Sequence, residues 1–389
     1  MEKSTEGKLN ILFFHNTLPE YRIGWFIELD RLCNIKFVFT NEALNKKNYG
    51  FDTDYERIKG LDCTFLPEGL KGYKELKDLL KNIDKYDFAE LPPLDSPREI
   101  FMSRKLIRAC KKAQVKTGFF WEMWEAPKDK QPLKRKIKNL IKLVIPRTVY
   151  KKTDIIFAAG SKSRQYFISH GTDSEKIHVI PDAGEAPQCG YEDIREKYRI
   201  GKEQKIILYL GRIMPEKGVD LLIKAYKEIE DENNFLLIAG AGDFLGECRS
   251  LAENLGIKNI AFCGAVDPKV RSNYFSQCDV FVYPVTYYGG WVDIWGLTLN
   301  EAVQYKKPVI ATEAVGSAWD LIEDGVNGWR IAPEDKDALK KTLCGALALE
   351  DKEVLIKKDE ELLEYYTYAN MAEEYLKIAL GVTKGQKNL

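Results

Sequence analysis

The residues best suited to chemistry lie in two short segments of the second half of the chain. The first runs from Gly211 to Gly218 as Gly-Arg-Ile-Met-Pro-Glu-Lys-Gly and directly follows an apolar run. A glycine at a strand end permits a tight turn, and Arg212 and Lys217 stand five residues apart within it. A forked guanidinium and a mobile ammonium together suit a diphosphate. A polar strand-to-helix turn with solvated cations is the competing interpretation.

The second segment, residues 293–301, reads Asp-Ile-Trp-Gly-Leu-Thr-Leu-Asn-Glu and opens a predicted helix. The first N–H groups of a helix lack backbone partners, so Gly296 and Leu297 offer a seat for an anion. Glu301 could accept hydrogen bonds from both hydroxyls of a ribose, and Asp293 could hold a second polyol. The competing interpretations are a first-turn acid favoured by the helix dipole for Glu301 and a plain loop residue for Asp293.

Short apolar strands alternate with longer helical patterns along the chain, and these elements must position the two segments. Continuous apolar runs such as Ile206–Leu210 are typical of parallel strands that are covered by helices on both faces. The alternation starts again after residues 181–198, where proline and glycine punctuate a polar stretch. We therefore predict an α/β chain with two Rossmann-like, doubly wound parallel-sheet domains facing each other across a ligand-binding cleft.

The domain boundaries follow from this restart. We predict a first domain in residues 1–183 and a second domain in residues 184–365. Residues 366–389 should contain a C-terminal helix that packs back toward the first domain. The predicted strands are residues 9–14, 35–39, 63–66, 87–91, 117–121, 154–158, 178–180, 205–210, 235–239, 260–263, 280–283, 308–311 and 328–331.

Composition excludes several classes of protein. The chain has 389 residues, 45% of them hydrophobic and 30% charged, which is typical of a globular protein with more than one core. No apolar run approaches the roughly 18 residues of a membrane span. Glu2 and Glu6 stand where a signal peptide needs apolar residues, so we expect a cytoplasmic protein. Eight scattered cysteines and three histidines lack metal-ligand spacing, and no metal site is predicted.

The zero net charge hides an asymmetry between the two halves. Up to Ile180 there are 34 basic and 24 acidic residues, and after it there are 25 and 35. Residues 134–144 read as a basic amphipathic helix, which could rest on an anionic membrane surface. A solvated basic face is the alternative. Nucleic acid is disfavoured as a partner because no known binding module accompanies the charge.

The two segments at residues 211–218 and 293–301, in this order along the chain, resemble family 4 of the glycosyltransferases. The members of this family are retaining enzymes with the two-domain GT-B architecture. The family pattern is a Gly-Arg…Lys-Gly segment, a Glu-x7-Glu segment around Gly-Leu, and a Gly-Gly loop. The positions that match are Gly211, Arg212, Lys217, Gly218, Gly296, Leu297, Glu301 and Gly316. The resemblance covers roughly residues 205–331, in which residues 262–266 are similar to the loop that meets the nucleotide base.

The resemblance implies a role for each matching residue. Arg212 and Lys217 would bind the donor diphosphate, while Glu301 would bind the ribose. Asp293 would hold the transferred sugar. The expected nucleotide-sugar-binding residues are Gly211, Arg212, Lys217, Gly264, Val266, Asp293, Gly296, Leu297, Thr298 and Glu301. The expected catalytic residues are Arg212, Lys217, Asp293 and Glu122.

The first half of the chain supplies the acceptor side of the expected cleft. His15, Arg22 and Gly24 lie in the first loop after a strand, which should face the cleft, and we expect them to contact the acceptor. Glu122 follows another apolar strand end, where relatives often carry a His towards the transferred sugar. A loop acid flanked by packed tryptophans is the competing interpretation of Glu122.

Two positions and one segment depart from the family pattern. Asp293 is one methylene shorter than the usual Glu, which changes the contact to the sugar or the sugar that fits. Ser317 replaces the second glycine of the Gly-Gly loop. Residues 285–292 are longer and more aromatic than the usual link. We expect this insert to reshape the sugar or acceptor pocket; a surface loop packed on its own aromatic rings is the alternative.

By this resemblance the reaction is transfer of a sugar from a nucleotide-diphosphate sugar, UDP-linked rather than GDP-linked, to an acceptor hydroxyl with retained configuration. The setting would be polysaccharide or glycolipid biosynthesis, with a sugar or lipid-linked sugar as acceptor. The cations would stabilise the leaving diphosphate, which itself takes the acceptor proton. No metal or other cofactor is expected, since no Asp-x-Asp motif lies near the cleft strands. A peripheral position at the inner face of the plasma membrane is an alternative to free cytoplasmic location.

Two other functions stay open at this stage. A nucleotide-sugar epimerase or hydrolase on the same architecture would convert the donor without an acceptor. A non-catalytic GT-B protein would bind a nucleotide or a partner transferase without turnover. A tandem dinucleotide-binding dehydrogenase is disfavoured because no Gly-x-Gly-x-x-Gly follows Phe14 or Leu210.

Overall fold

A computed structural model of the chain describes residues 8–41, 55–184, 190–350 and 353–385. Its strands and helices alternate along both halves. Strands β1 to β14 span Asn10–His15, Asn34–Phe39, Cys63–Phe65, Phe88–Glu90, Lys116–Gly118, Phe120–Trp121, Ile156–Ala159, Ile177–Ile180, Lys205–Leu210, Asn234–Ala239, Ile260–Gly264, Val280–Tyr283, Val309–Thr312 and Gly328–Ile331. Helices α1 to α14 span Glu20–Leu32, Gly69–Lys81, Pro97–Ala113, Leu133–Tyr150, Gly160–Ser169, Ile194–Tyr198, Val219–Lys227, Leu245–Asn254, Arg271–Gln277, Leu297–Gln304, Ala318–Leu321, Lys336–Leu347, Glu353–Tyr365 and Tyr368–Thr383.

The described strands form three sheets, and the strand pairs within them are parallel. The first half contains one sheet in the order β3-β2-β1-β4-β5 and a smaller one in the order β6-β7-β8. The second half contains one sheet in the order β11-β10-β9-β12-β13-β14. In both large sheets the strand order reverses beside the first strand, β1 or β9. The predicted α/β fold with parallel, doubly wound sheets is therefore confirmed.

Burial of the central strands explains why they read as apolar runs. In β9, residues 206–210 are all buried, and every residue of β10 is buried as well. A strand that is covered on both faces cannot alternate apolar and polar side chains. The sheet edge is different: the residues of β11 are all partly exposed. The helices begin with ordinary local signals; at α3, Ser96 accepts a hydrogen bond from the Glu99 N–H, and Pro97 follows it.

The prediction of one strand over residues 117–121 is wrong. The chain leaves the five-stranded sheet after Gly118 and joins the three-stranded sheet at Phe120. The buried side chain of Glu90 supports the break, because it accepts a hydrogen bond from the Phe120 N–H. Gly118 is needed beside it, since a Cβ at this position would lie 2.6 Å from the Glu90 Oε2 atom.

The last helix, α14, packs against the first half of the chain. Met371 and Tyr375 belong to the same buried cluster as Phe13 and Trp25, and the Tyr375 ring lies 4.3 Å from the ring of Phe157. The Tyr375 hydroxyl donates a hydrogen bond to Glu90. The chain therefore returns at its end to cover the core that its beginning forms.

The segment predicted as the link between the two halves is partly helical. Helix α6 occupies its last residues, and Asp193 caps this helix by accepting a hydrogen bond of 3.0 Å from the Glu196 N–H. Residues 185–189 of the predicted link lie outside the described residues. Asp182, directly before them, is completely buried.

The basic amphipathic pattern forms α4, which is longer than predicted and includes Pro146. Its exposed large apolar residues recur at helical spacing: Leu133, Ile137, Leu140 and Val144 are 72%, 52%, 61% and 55% exposed. Their spacing of three and four residues places them on one face of the helix. Within the described ranges, no helix combines the length and the apolar character that crossing a membrane requires.

Candidate functional site

The turn from Gly211 to Gly218 lies at the carboxyl end of β9, a central strand of the six-stranded sheet. Gly218 has a φ of +67°, and a Cβ there would approach the Pro284 carbonyl oxygen to 1.9 Å, so the turn requires glycine. The Tyr209 hydroxyl donates a hydrogen bond of 2.5 Å to the Arg212 carbonyl. These contacts hold the turn against the end of β12.

Lys217 is buried at this turn, with 4% of its surface exposed. Its Nζ atom donates a hydrogen bond of 2.5 Å to Asp293 Oδ2 and one of 2.8 Å to the Tyr283 hydroxyl. Tyr283 in turn donates to Asp293 Oδ2. A buried charge needs such partners because it has lost its water. The structure therefore brings together a diphosphate candidate and the sugar candidate of the sequence prediction.

Arg212 is exposed at the same turn. Its positive charge is felt by Tyr283, whose pKa is raised well above its usual value by burial and by Asp293, while Arg212 acts in the opposite direction. The guanidinium therefore shares an electrostatic environment with Lys217 and Asp293. It is the more accessible of the two cations that were expected to bind a diphosphate.

The second segment begins α10, and its approach to the sheet is close. Gly296 precedes the helix with a φ of +89°, and a Cβ there would lie 3.0 Å from Val315 Cγ1 and 3.1 Å from Tyr283 Cε1. A Cβ on Gly316 would lie 1.9 Å from the Ile294 carbonyl oxygen. Leu297 and Thr298, in the first turn of the helix, are partly exposed. The start of the helix thus lies beside the ring of Tyr283, whose hydroxyl accepts a hydrogen bond from Lys217.

Glu301, one turn further along α10, is buried and paired with Arg271, whose guanidinium lies 2.5 Å from Glu301 Oε2. Burial raises the pKa of Glu301, and the charge of Arg271 opposes this shift. The sequence prediction did not include Arg271. A ribose that binds Glu301 would therefore meet a carboxylate already held by a cation.

The segment expected to meet a nucleotide base surrounds the end of β11. Gly264 has a φ of +72° and no atom within 4 Å of the position of a Cβ. Its carbonyl accepts a hydrogen bond of 2.7 Å from the Gly240 N–H. Val266 packs against the core of the second half. The space that a side chain at position 264 would occupy is therefore open.

The prediction that Arg22 lies in a loop is wrong. Helix α1 begins at Glu20, so Arg22 lies in its first turn and is 1% exposed. It forms ion pairs with Asp182 and Glu122. Burial alone would lower the pKa of Arg22, but these two carboxylates raise it above its usual value. Arg22 therefore pairs with the Glu122 carboxylate while its own side chain is almost completely buried.

Gly24 also lies in α1, and its expected place in an acceptor loop is corrected in the same way. A Cβ on Gly24 would come within 2.3 Å of the Tyr368 ring, so the absence of a side chain lets α14 approach α1 closely. His15 ends β1 and is partly exposed. Burial and the charge of Arg22 lower the pKa of His15 to about 4, and its Nδ1 lies 2.7 Å from the Thr17 carbonyl oxygen.

Glu122 is partly buried at the side of the site that belongs to the first half of the chain. Burial and the neighbouring Asp182 raise its pKa to about 7, Arg22 opposes this, and Asp293 adds a smaller upward contribution. Trp124, two residues later, donates a hydrogen bond of 3.0 Å from its indole N–H to the Asp293 carbonyl oxygen. The two halves of the chain therefore meet at Asp293.

In the part of the chain that the structure describes, no three His, Cys, Asp or Glu side chains converge as metal ligands would. The site is instead built from cations and carboxylates in pairs. The sequence prediction missed four of its members: Asp182, Tyr283, Arg271 and Trp124. Tyr283 is the last residue of β12 and Asp182 follows the end of β8 by two residues, positions that could have been noticed. Nothing in the local sequence marks Arg271.

Part of this chain is similar in sequence to glycosyltransferases. Residues 190–366 match the family model described as glycosyl transferases group 1. An uncharacterized glycosyltransferase of Methanocaldococcus jannaschii is 25% identical over 242 residues, which are 59% of this chain and 60% of the relative. The GDP-mannose-dependent alpha-(1-6)-phosphatidylinositol monomannoside mannosyltransferase of Mycolicibacterium smegmatis is 26% identical over 219 residues, 55% of each chain. The chain thus spans somewhat more than half the length of these curated relatives.

Among solved structures, Anabaena HepE in complex with UDP and glucose is similar over 95% of this chain and 99% of its own, with a TM-score of 0.70 and 15% sequence identity. At this level of identity the likeness concerns the fold. The expected two-domain GT-B architecture is therefore confirmed.

Proposed function

Because residues 190–366 match the family model of group 1 glycosyl transferases, we propose that the whole chain transfers a sugar from a nucleotide-diphosphate sugar to an acceptor hydroxyl. The observation that carries the proposal is the buried Lys217, held against Asp293 where the first strand of the second domain ends. A cation at this place can meet a pyrophosphate, and the carboxylate beside it can meet the sugar.

Donor binding then exchanges partners within an existing pair. Lys217 moves from Asp293 to the diphosphate oxygens, and Asp293 accepts hydrogen bonds from the sugar hydroxyls. The exposed Arg212 adds a second charge from the side of solvent. When the bond to the sugar breaks, negative charge develops on the diphosphate and the sugar becomes oxocarbenium-like. Cations that already lie in place stabilise that charge without reorganising.

The acceptor side is formed by the first half of the chain. Glu122, held by Arg22, lies close enough to Asp293 for their charges to interact. We assign Glu122 to the face of the transferred sugar that is away from the diphosphate. The acceptor attacks from the side of the leaving group, the configuration is retained, and the diphosphate takes the proton. In this scheme neither a protein base nor a divalent metal is needed.

A UDP-sugar is the donor that we propose, with a GDP-sugar as the alternative. A structural neighbour of the same fold is a complex with UDP and glucose, whereas a relative in sequence is named as GDP-mannose-dependent. The same relative is named for a phosphatidylinositol-linked acceptor, which favours a lipid-linked sugar as acceptor and glycolipid or polysaccharide biosynthesis as the setting.

The experiment is a thermal-shift screen of the protein with UDP-, GDP- and ADP-sugars, followed by product analysis with the donor that binds. A ligand that binds only the folded state raises the melting temperature. We expect stabilisation by a UDP-sugar and release of UDP only when an acceptor is present. Release or isomerisation without acceptor would identify a hydrolase or epimerase. Binding without turnover on a broad acceptor panel would identify a non-catalytic protein, and no stabilisation by any nucleotide would contradict the proposal.

We further propose that α4 binds an anionic membrane surface, where a lipid-linked acceptor lies. The helix exposes a row of apolar side chains that includes Leu133 and Leu140, and Lys134 and Lys136 are exposed beside them. Apolar insertion and attraction to anionic headgroups act together in such helices. The test is co-sedimentation with vesicles of phosphatidylglycerol or of phosphatidylcholine alone. Binding only to the anionic vesicles is expected.

A matched pair of variants makes that test specific. Leu140→Ser should weaken vesicle binding, while Val354→Ser, at a residue 65% exposed in the acidic second half, should leave it unchanged. Equal binding to both vesicle types, or equal loss in both variants, would contradict a role for α4.

A further inference from the structure

The aromatic insert that distinguishes this chain, residues 285–292, does not stand free on the surface. Its beginning is tied to the diphosphate turn, because the Thr286 N–H donates a hydrogen bond of 2.8 Å to the Glu216 carbonyl. Tyr288–Gly290 then forms a tight 3-10 turn. The alternative interpretation of this segment, a surface loop packed on its own aromatic rings, is therefore wrong.

The indole of Trp291 lies over the buried ammonium of Lys217, with 4.6 Å between Nζ and the ring centroid. The face of an aromatic ring attracts a cation without accepting its N–H donors in a directed hydrogen bond. This contact therefore differs from the hydrogen bonds to Asp293 and to the Tyr283 hydroxyl, because it can persist when Lys217 turns to a phosphate. Trp291 supplies a wall that keeps the ammonium in place during the exchange.

The insert also contacts the first half of the chain. Gly290 is buried with a φ of +73°, and a Cβ there would lie 3.0 Å from Pro132 Cδ, 3.2 Å from Arg135 Cγ and 3.2 Å from the Cα of Gln131. Two residues later, Val292 is buried within the core cluster of the first half. The neighbouring Gly289 has a similar φ of +62°, but it is exposed with no atom within 4 Å of a Cβ.

We propose that Trp291 is a positioning residue for Lys217, and that the contact of Gly290 with residues 131–135 sets the place of Trp291. The donor site of the second domain is then complete only when the first domain is docked against the insert. This inference rests on the proposed function, since it gives Lys217 the diphosphate as its ligand. It deepens that function by naming what holds the cation and what couples it to the acceptor domain.

The first test compares Trp291→Leu with Trp291→Phe. Leucine removes the aromatic face, and phenylalanine keeps a weaker one. We expect Trp291→Leu to lower the affinity for the nucleoside diphosphate about 10-fold, and to lower kcat because the same cation stabilises the leaving group. Trp291→Phe should retain most of the affinity for the nucleoside diphosphate and most of kcat. Binding of the nucleoside without phosphates should be unchanged in both variants, whereas general damage to the fold would weaken it as well.

The second test uses the two glycines as a matched pair. Asparagine tolerates the left-handed backbone better than other side chains, so Gly289→Asn and Gly290→Asn carry similar backbone strain. Only at position 290 does the new side chain meet the other domain. We expect Gly290→Asn to reproduce the loss seen with Trp291→Leu and Gly289→Asn to behave like the unchanged protein.

The outcomes separate the two proposals. If the unchanged protein binds no nucleoside diphosphate, the proposed function fails and this inference with it. If it binds and turns over donor, but Trp291→Leu binds the diphosphate as tightly and reacts as fast, only the role of Trp291 is overturned. If Gly289→Asn and Gly290→Asn are equally impaired or equally unimpaired, the coupling to the first domain is overturned.

Discussion

The ammonium nitrogen of Lys217 lies 2.5 Å from Oδ2 of Asp293, which joins two segments 76 residues apart in the sequence. Both side chains are largely withdrawn from water, with exposures of 5% and 15%. Each charge therefore depends on the other until a ligand replaces it. A nucleotide sugar can satisfy both side chains at once, because its diphosphate binds the ammonium of Lys217 and its sugar hydroxyls donate hydrogen bonds to the carboxylate of Asp293.

The first prediction concerns this pair. Lys217→Met should lower kcat by roughly 100-fold or more, because a donor aimed at the developing charge is lost. It should also destabilise the fold by about 3 kcal/mol, since it leaves the Asp293 carboxylate buried without its partner. Steady-state kinetics and urea denaturation measure the two effects separately.

Adding Asp293→Asn to Lys217→Met should recover most of the stability but none of the turnover. The single variant Arg212→Ala is the control for chemistry, because its side chain is exposed. It should lose turnover with little change in stability. Normal activity in either Lys217→Met or Arg212→Ala would remove that residue from the site.

The second prediction concerns Glu301 and the ribose. Glu301→Gln keeps the shape of the side chain but removes the charge that accepts from two hydroxyls and pairs with Arg271. Hydrogen bonds to charged groups are stronger than neutral ones, so the affinity for the nucleoside diphosphate should fall about 10-fold. Isothermal titration calorimetry gives this value directly.

The control is a 2′,3′-dideoxy nucleoside diphosphate, which lacks the hydroxyls that Glu301 would hold. It should bind the unchanged protein and Glu301→Gln with equal, weak affinity. A variant that loses affinity equally for the normal and the dideoxy ligand would show that Glu301 acts on the structure of the site and not on the ribose.

The parallel strands were predictable because burial on both faces leaves a strand no room for polar residues. Residues 206–210 are an apolar run for that reason, and the glycines of the following turn mark where the backbone must bend. The candidate residues Lys217 and Asp293 could also be named, since each follows a strand of the same sheet. Local sequence carries this information because the parallel sheet brings those ends to one edge.

What the sequence did not predict depends on partners far along the chain. Arg22 reads as a loop cation, but its carboxylate partners stand 100 and 160 residues away. The break between β5 and β6 depends on Glu90, 30 residues before Phe120. The spacing of the aromatic insert likewise does not reveal that Trp291 covers Lys217. Contacts between residues that are far apart in the sequence leave no trace in local hydrophobic periodicity.

The third prediction concerns metals. If Arg212, Lys217 and the start of α10 stabilise the leaving diphosphate, no divalent cation is needed for turnover. Initial rates should be the same with EDTA as with added Mg²⁺ or Mn²⁺, after passage of enzyme and substrates over a chelating resin. Complete loss of rate on chelation, with recovery on adding one metal, would overturn the metal-free mechanism.

The fourth prediction concerns pH and the buried Glu90, which is 1% exposed. Burial raises its pKa from 4.5 to about 8, and hydrogen bonds from Tyr375 and the Phe120 N–H oppose the shift. Between pH 4.5 and about pH 8, Glu90 holds a proton in the folded state that it has released in the unfolded chain. The contribution of Glu90 to the free energy of unfolding is therefore full at low pH and lost as pH rises through this window.

Glu90→Gln stays neutral at every pH and mimics the protonated acid, so it isolates that contribution. Urea denaturation between about pH 5 and pH 8 should show the unchanged protein losing stability relative to Glu90→Gln, by an amount on the order of 3 kcal/mol. Glu122 and Asp359, whose pKa values burial raises to about 7, also make the free energy of unfolding depend on pH, but they do so equally in both proteins. Parallel stability curves for the two proteins would mean that Glu90 is ionised in the folded state, with its charge held by the Tyr375 hydroxyl and the Phe120 N–H.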